Sequence, residues 1–530
     1  MNLNLFILLN LLPICCMSQP YIDWQRTIGG NSIDVINTSV IASDGGYIFG
    51  GLSNSNISNE KSENSRGLTD FWVVKLNSLG QINWQRTIGG TGSEVINKIA
   101  STSDGGVILG GTSNSNISGE KMEDSRGLSD YWVVKLDQTG TIEWQKTIGG
   151  NSTDGLQSIS QTSDGGYILG GISSSGISGE KTENYRGNIP SSDYWIVKLD
   201  ATGMITWQRT YGGNNSDLLH TIKQTYDGGY IVGGESNSDI SYDKSENSFG
   251  LEDYWILKLD QYGSIEWQKT IGGNGSDILK EIIESPNGNY FVGGYSESNF
   301  SGLKSENSRG LTDFWVIKLS SSGLIEWDKT FGGQQAEFLY SLIENNVNEL
   351  IVGGSSSSSI SGEKNEDSRG LSDFWIFKLN ASGNIIWQKT IGGSLADGDY
   401  SIIKATDNKF VLGGSSRSSI SGEKTENCRG EADFWIVKIN EENLSVNTGN
   451  IEPLLQISPN PTGGSVKIDF GKVQKSVLVS LRNIEGKLIT ENEFRNVPFI
   501  NTSIEGPIGF YFLTIKYGNY ETKTYKIIKQ

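Results

Sequence analysis

From residue 19 to residue 440 one pattern of apolar and polar positions returns about every 60 residues. A fixed period dictates architecture before any local assignment does. In residues 142–213, Gly155 to Thr162 leads into Asp164-Gly165-Gly166, whose glycines allow the positive φ of a hairpin turn, and Tyr167-Ile168-Leu169-Gly170 returns beside it. A polar stretch from Ser173 to Ser192 follows. Tyr194-Trp195-Ile196-Val197-Lys198-Leu199 then carries large apolar side chains on both faces, as a strand sandwiched between neighbouring sheets requires. After a turn at Asp200-Ala201-Thr202-Gly203, Ile205-Thr206-Trp207-Gln208-Arg209-Thr210 supplies a fourth strand that ends at Gly212-Gly213. Four strands per period predicts a propeller blade.

Two tryptophan series fix the phase. The fourth-strand series is Trp24, Trp84, Trp144, Trp207, Trp267, Trp327 and Trp387; the third-strand series is Trp72, Trp132, Trp195, Trp255, Trp315, Trp375 and Trp435, and together they use all 14. The first segment is a fourth strand and the last repeat stops after a third, so pairing of Trp24's strand beside Trp435's closes a ring and leaves no open edge. A linear solenoid would need distinct caps at its ends, and neither end has one. The expected fold is all-β: a seven-bladed β-propeller over residues 19–440, closed by its N-terminal strand, followed by a small C-terminal β-sandwich over residues 453–530. Each interblade tryptophan is expected to contribute up to about 4–6 kcal/mol.

Composition narrows the partners. With 43 basic against 61 acidic side chains the net charge is -18, which disfavours nucleic acid and anionic lipid. Residues 1–18 hold an apolar run from Leu5 to Cys16, too short to span a bilayer and followed by small residues suited to cleavage after Ser18, so a signal peptide and export are expected. It lacks the usual basic start, and Leu12-Pro13-Ile14-Cys15 is a poor lipobox. No later segment is apolar enough for a membrane helix. Cys428 then remains alone in the mature chain, where other repeats have Ser65, Ser125 or Ser308, which excludes an internal disulfide and reads as a drifted serine.

Residues 441–452 read as a polar linker, and strands such as Val477–Leu481 and Phe510–Ile515 follow. The ordered set Ile457-Ser458-Pro459-Asn460-Pro461, Asn483-Ile484-Glu485-Gly486-Lys487-Leu488, Gly509-Phe510-Tyr511 and Lys526-Ile527-Ile528-Lys529 resembles the type A sorting domain of the type IX secretion system. That resemblance implies a Bacteroidetes-type bacterium, partners in the secretion machinery and its sorting peptidase, and a secreted or outer-surface destination; Pro459, Asn460, Pro461, Gly486, Gly509, Tyr511 and Lys529 carry it. The cargo repeats, in turn, look like Trp-Gln-Lys-Thr-Ile-Gly-Gly and Ser-Asp-Gly-Gly-Tyr propeller repeats of exported bacterial and archaeal proteins, a resemblance that implies a fold and no defined activity.

No catalytic constellation is detectable. His220 is the one histidine, which removes a Ser-His-Asp arrangement of the usual kind and His/Cys metal clusters; in a first-strand position elsewhere filled by Asn97 or Gln157, it reads as a structural or surface residue. Asp137-x-x-Gly140-x-x-x-Trp144 resembles the docking motif of quinoprotein propellers, where the tryptophan staples blades, but the vicinal cysteines and eight blades of those enzymes are missing. The long loop holds Lys61-Ser62-Glu63-Asn64-Ser65-Arg66-Gly67 and Asp70, and repeats seven times; its Asp is constant, its Arg fails at Phe249. An Asp–Arg pair or an aspartate accepting backbone hydrogen bonds is the favoured role. No cofactor is expected; calcium is a weaker alternative, because Asp-x-Asp-x-Asp spacing is absent. A unique site belongs where repeats stop matching, at Asn188-Ile189-Pro190-Ser191 and at Asp239, Tyr242, Asp243, Phe249 and Glu252, the candidate ligand-binding patch. The expected function is surface recognition or adhesion, binding glycan or protein. A carboxylate-dependent glycosidase or lyase and a structural surface-layer component are the alternatives.

Overall fold

The computed structural model describes residues 19–187, 191–346, 348–441, 455–517 and 521–530. The expected signal segment 1–18, the Asn188-Ile189-Pro190 insertion and residues 442–452 of the expected linker lie outside them. Two compact units are present, residues 1–442 and 443–530.

In the first unit the described residues form seven four-stranded antiparallel sheets. The third sheet, for example, consists of Asp154–Gln161, Tyr167–Ser173, Asp193–Leu199 and Ile205–Tyr211, within a residue or two of the expected strands. Six sheets take four successive strands. The seventh joins Asp397–Lys404, Phe410–Ser416 and Asp433–Asn440 to the N-terminal strand Tyr21–Ile28, with Thr27 opposite Trp435. Apolar side chains interlock between each sheet and the next, and one cluster joins Ile36, Phe49 and Trp72 of the first sheet to Val411, Phe434 and Ile436 of the seventh. A row of sheets whose last packs on its first is a β-propeller.

The third strands are buried along their whole length, as in Asp130–Leu136. This follows from their position between two neighbouring sheets, and Trp132, Trp195 and the rest of that series are completely buried. The fourth-strand tryptophans behave differently. They stand on the outermost strand and are half-buried, apart from Trp387 at 3% exposure. Trp84 lies on the turn of the next sheet, donating from Nε1 to the Gln138 carbonyl (3.2 Å), and a Cβ on Gly140 (φ 81°) would stand 2.9 Å from its ring. The large burial energy expected of all fourteen therefore belongs to the third-strand series.

Each first strand carries a bulge at one repeated position. In the second sheet Ile96 pairs with Gly111 and Lys98 with Gly110, leaving Asn97 as the extra residue. The equivalents are Asn37, Gln157, His220, Lys280 and Tyr340. A bulge re-aims its side chain, so this row departs from the hydrophobic alternation of its strand.

The second unit is one five-stranded sheet in which Ser465–Asn483 pairs with Gln456–Ser458, Leu488–Ser503 and Gly509–Tyr517, and Glu521–Lys529 adds to the last. The register breaks between Asp469 and Gln474, and Val466, Ile468, Val479, Leu513 and Ile527 share one buried core.

Candidate functional site

The recurrent loop polarity is used in joining sheets. In the second sheet Lys121 is buried, donating Nζ to the Glu123 carbonyl (2.8 Å) and to Thr147 Oγ1 (2.6 Å), 5.8 Å from the Trp132 ring centre. Burial lowers its pKa, opposed by Asp130 and Glu94. The Arg126 amide donates to Asp130 Oδ2 (2.6 Å), which selects the backbone-accepting role for the constant aspartate. Asp130 Oδ1 occupies the place beside Gly149 where a Cβ would stand only 1.8 Å away, so glycine is required there. The Arg126 guanidinium instead crosses to Glu180 of the third sheet (2.9 Å), whose other oxygen accepts the Gly149 amide (3.1 Å). The same link runs Arg66–Glu120, Arg186–Asp243, Arg309–Glu363, Arg369–Glu423 and, from the seventh sheet to the first, Arg429–Glu60.

One junction lacks the pair. Phe249 replaces the arginine, and Leu303 replaces the acid it would meet. The Phe249 ring lies against Gly302, where a Cβ would be 3.0 Å from Cδ1. Two departures that look separate along the chain are one swap of an ion pair for an apolar contact.

The propeller axis holds a cavity of about 410 Å3 lined by the first strands of all seven sheets, among them Asn37, Asn97, Gln157, His220, Tyr340 and Ser401. Its charged groups come from the second, fourth, fifth and sixth sheets. Lys98 of the second reaches Glu281 of the fifth (3.3 Å), and Lys223 of the fourth meets the same carboxylate (2.7 Å). Burial raises the Glu281 carboxyl, but Lys223 and Lys98 overcome it and hold it down at about 2. Beside this group His220 Nε2 lies 2.5 Å from Glu235 and 3.4 Å from Lys280 Nζ. Burial lowers the Lys280 pKa, partly offset by Glu235. The carboxamides of Asn37 and Asn97 donate to the Ile96 and Leu156 carbonyls of the next sheets (2.8 and 2.6 Å), which fixes both side chains.

In the second unit the motif residues converge on the last strand. Asn460 donates to the Lys526 carbonyl (2.8 Å) and accepts the Ile528 amide (2.9 Å), between Pro459 and Pro461. Lys529 Nζ donates to the Ile504 and Gly506 carbonyls (2.8 and 2.7 Å), Tyr511 Oη to the Pro507 carbonyl (2.6 Å), and Gly486 takes a positive φ (78°) in its turn. Gly509 opens the strand that pairs with Lys529.

Residues 456–530 match the family model of the secretion system C-terminal sorting domain. The chain is a β-propeller repeat protein with a type IX sorting tail. The sorting tail directs it to the cell surface or the extracellular space. Over 408 residues it is 24% identical to the regulatory protein FlaEY of Caulobacter vibrioides, covering 70% of this chain and 41% of that one; the chain thus spans about two-fifths of that relative's length. Solved structures similar to it include the Neurospora crassa Pan2 WD40 domain (TM-score 0.41, 10% identity, 79% of this chain and 96% of that one). Kuenenia stuttgartiensis hydrazine synthase gives a TM-score of 0.42 at 11% identity, over 73% and 94%.

Of the loop residues singled out from sequence, Asp243 serves the Arg186 link, Glu252 accepts the Ser276 hydroxyl (2.6 Å), and Phe249 packs at its junction. Asp239 and Tyr242 are exposed. His220, expected as an ordinary structural or surface residue, lines the axial cavity of the propeller and pairs with Glu235. Sequence reasoning passed over Lys98, Lys223, Glu235, Lys280 and Glu281; the signal was present in the first-strand row that changes from Asn and Gln to His220, Lys280 and Tyr340. Cys428 occupies its serine position, and burial pushes the thiol up to about 12. Among the described residues no three His, Cys, Asp or Glu side chains gather as a metal site, and no helix is long and apolar enough to cross a membrane.

Proposed function

We propose that the exported chain is a recognition or adhesion module: a seven-bladed propeller, delivered with its signal segment by a Bacteroidetes-type cell, that binds an extracellular glycan in its axial cavity. It acts by binding, without turnover and without a metal or organic cofactor. The observation that carries this reading is where symmetry is broken. The repeated Lys, Arg, Glu and Asp side chains of the loops are occupied in bonds within and between sheets, whereas Lys98, Lys223, Lys280 and Glu281, which the other sheets do not repeat, line one cavity of about 410 Å3. A concave site with amides, a histidine, a tyrosine and a few fixed charges suits a polyhydroxylated ligand. A glycan array read with the labelled full chain, beside a reducing-end assay on the same polysaccharides, tests it. Array binding without new reducing ends or unsaturated products is the expected result; turnover would favour the glycosidase or lyase, and silence in both a structural surface component.

A second reading, a protein partner on the long-loop face, is favoured by a separate feature. Ile57, Ile117, Ile177, Ile240, Phe300 and Ile360 project from equivalent loops, each 61–70% exposed. Such a ring of apolar tips suits an interaction surface. If it docks a protein, Ile117→Asp with Ile177→Asp abolishes attachment to target cells while array binding persists, and Tyr242→Ala on the same face weakens it.

A further inference from the structure

We infer that the axial cavity takes a carboxylate-bearing saccharide, with Lys98, Lys223 and Lys280 receiving the carboxylate and the bulge row receiving the sugar hydroxyls. This rests on the recognition reading and names the ligand class for its site.

The argument begins with charge. The positions equivalent to Lys98 and Glu281 hold Thr38, Ser158, Thr221, Ser341 and Ser401, and the position of Lys223 holds Val40, Ala100, Ser160 or isoleucine elsewhere. At these two positions charge occurs in these sheets alone. Lys98 and Lys223 share the single carboxylate of Glu281, at 3.3 and 2.7 Å, so that group retains one positive charge. Lys280 makes no ion pair with a described carboxylate; its Nζ lies 3.4 Å from His220 Nε2 and 5.5 Å from the centre of the Tyr295 ring, while Glu235 is engaged at 2.5 Å by His220. The other cavity acids have partners of their own. Glu284 accepts the Tyr226 amide (2.8 Å), and Glu344 accepts the Asn348 amide and the Ser285 hydroxyl (both 2.6 Å). An ammonium kept in a partly desolvated cavity, with Glu235 as a nearby acid that His220 already engages, is disfavoured, and an incoming anion reduces that penalty. Lys280 is thus the one of the three cavity lysines that, among the described residues, has no carboxylate within ion-pair distance.

The neighbours of these lysines select a sugar over a bare anion. Asn37 and Asn97 each donate to backbone of the adjacent sheet, which leaves Oδ1 of both as acceptors for ligand hydroxyls. Gln157 and Tyr340 stand in the same row. A cavity of about 410 Å3 holds about one or two sugar rings.

Calorimetric titration of the full chain with digalacturonate, with its dimethyl ester and with inorganic sulfate tests the inference. The acid is expected to bind, the ester at least tenfold more weakly, and sulfate without competing at equal concentration. Lys280→Met should weaken the acid tenfold or more with the melting temperature unchanged, Lys223→Met should weaken it as far but also lower the melting temperature because Glu281 keeps only Lys98, and Lys280→Arg should restore binding. Should a methionine variant fail to fold, the affinity of the unaltered chain must still fall as salt rises. Equal binding of acid and ester, sulfate competition at equal concentration, or indifference to the lysine variants overturns the assignment. Array binding of neutral glycans alone leaves the recognition reading standing and removes this inference; silence toward both the array and digalacturonate removes both.

Discussion

The loop rim and the axial cavity arise from the same repeats but put their polar groups to opposite uses. On the rim a charged side chain finds its partner one sheet away, Arg126 on Glu180 and so on round to Arg429 on Glu60. Repetition there follows from geometry, since six of the seven junctions carry the same link. At the axis the side chains face one another across a shared space, so a single substitution changes the whole cavity and no repeat is required. Lys98 and Glu281 meet although they belong to the second and fifth sheets. The difference teaches that, in a closed ring, repeated polarity marks assembly and unrepeated polarity marks a site.

The largest test of the rim's role removes its closure. Deleting residues 19–30 takes away the strand Tyr21–Ile28 and its pairing to Asp433–Asn440. The expected loss is comparable with the whole stability of a domain, about 5–15 kcal/mol, and shows as disappearance of a cooperative thermal transition. A smaller effect separates junction types. Arg126→Ala is expected to cost on the order of 1–2 kcal/mol in denaturant unfolding, because the arginine bonds to Glu180 at about a quarter exposure. Converting the exceptional junction by Phe249→Arg with Leu303→Glu should give a favourable coupling of about 0.5–1 kcal/mol in a double-mutant cycle, each single change being worse than the pair. Additivity would show that Phe249 and Leu303 are unrelated.

The smallest effect is a shift of melting temperature with pH, by a few degrees. Burial, the largest cause, raises the junction carboxyls, Asp193 to about 8 and Asp217, Asp253, Asp313 and Asp373 to about 6. The folded ring keeps these protons after the unfolded chain has released them, so stability falls as pH rises from about 4 to 8. Asp104, Asp164 and Asp227 titrate in the other sense. Burial raises them, but hydroxyl and lysine hydrogen bonds bring them down to about 2, and their contribution, present above pH 4, is lost on acidification toward 2. The lysines drawn down to about 8, Lys61 among them, act above this window. Calorimetric melts should therefore peak near pH 4; a melting temperature that climbs steadily to pH 8 would contradict the junction assignment.

Much of the fold was legible because each element has a local cause. Asp164-Gly165-Gly166 makes a hairpin, Tyr194–Leu199 needs burial on both faces, and the complementary phases of Trp24 and Trp435 supply the missing strand. The half-burial of Trp84 was not legible, since nothing in the segment says which strand lies outermost. The site was harder for the same reason. Asp243 and Phe249 differ from their repeats, and only the link to Arg186 and the contact with Gly302 reveal that both are junction residues. His220 was in view as a departure and Lys280 was not; a bulge turns both out of the strand's alternation, and the meeting of Lys98 with Glu281 exists only once the ring has closed.

The division between rim and axis is tested most directly by a matched pair of variants, Arg126→Met and Lys280→Met, each measured for melting temperature and for digalacturonate affinity. The account predicts a crossed result: the first melts lower and binds as before, the second melts as before and binds at least tenfold more weakly. If Arg126→Met weakens binding, or Lys280→Met lowers the melting temperature while affinity holds, the division is wrong.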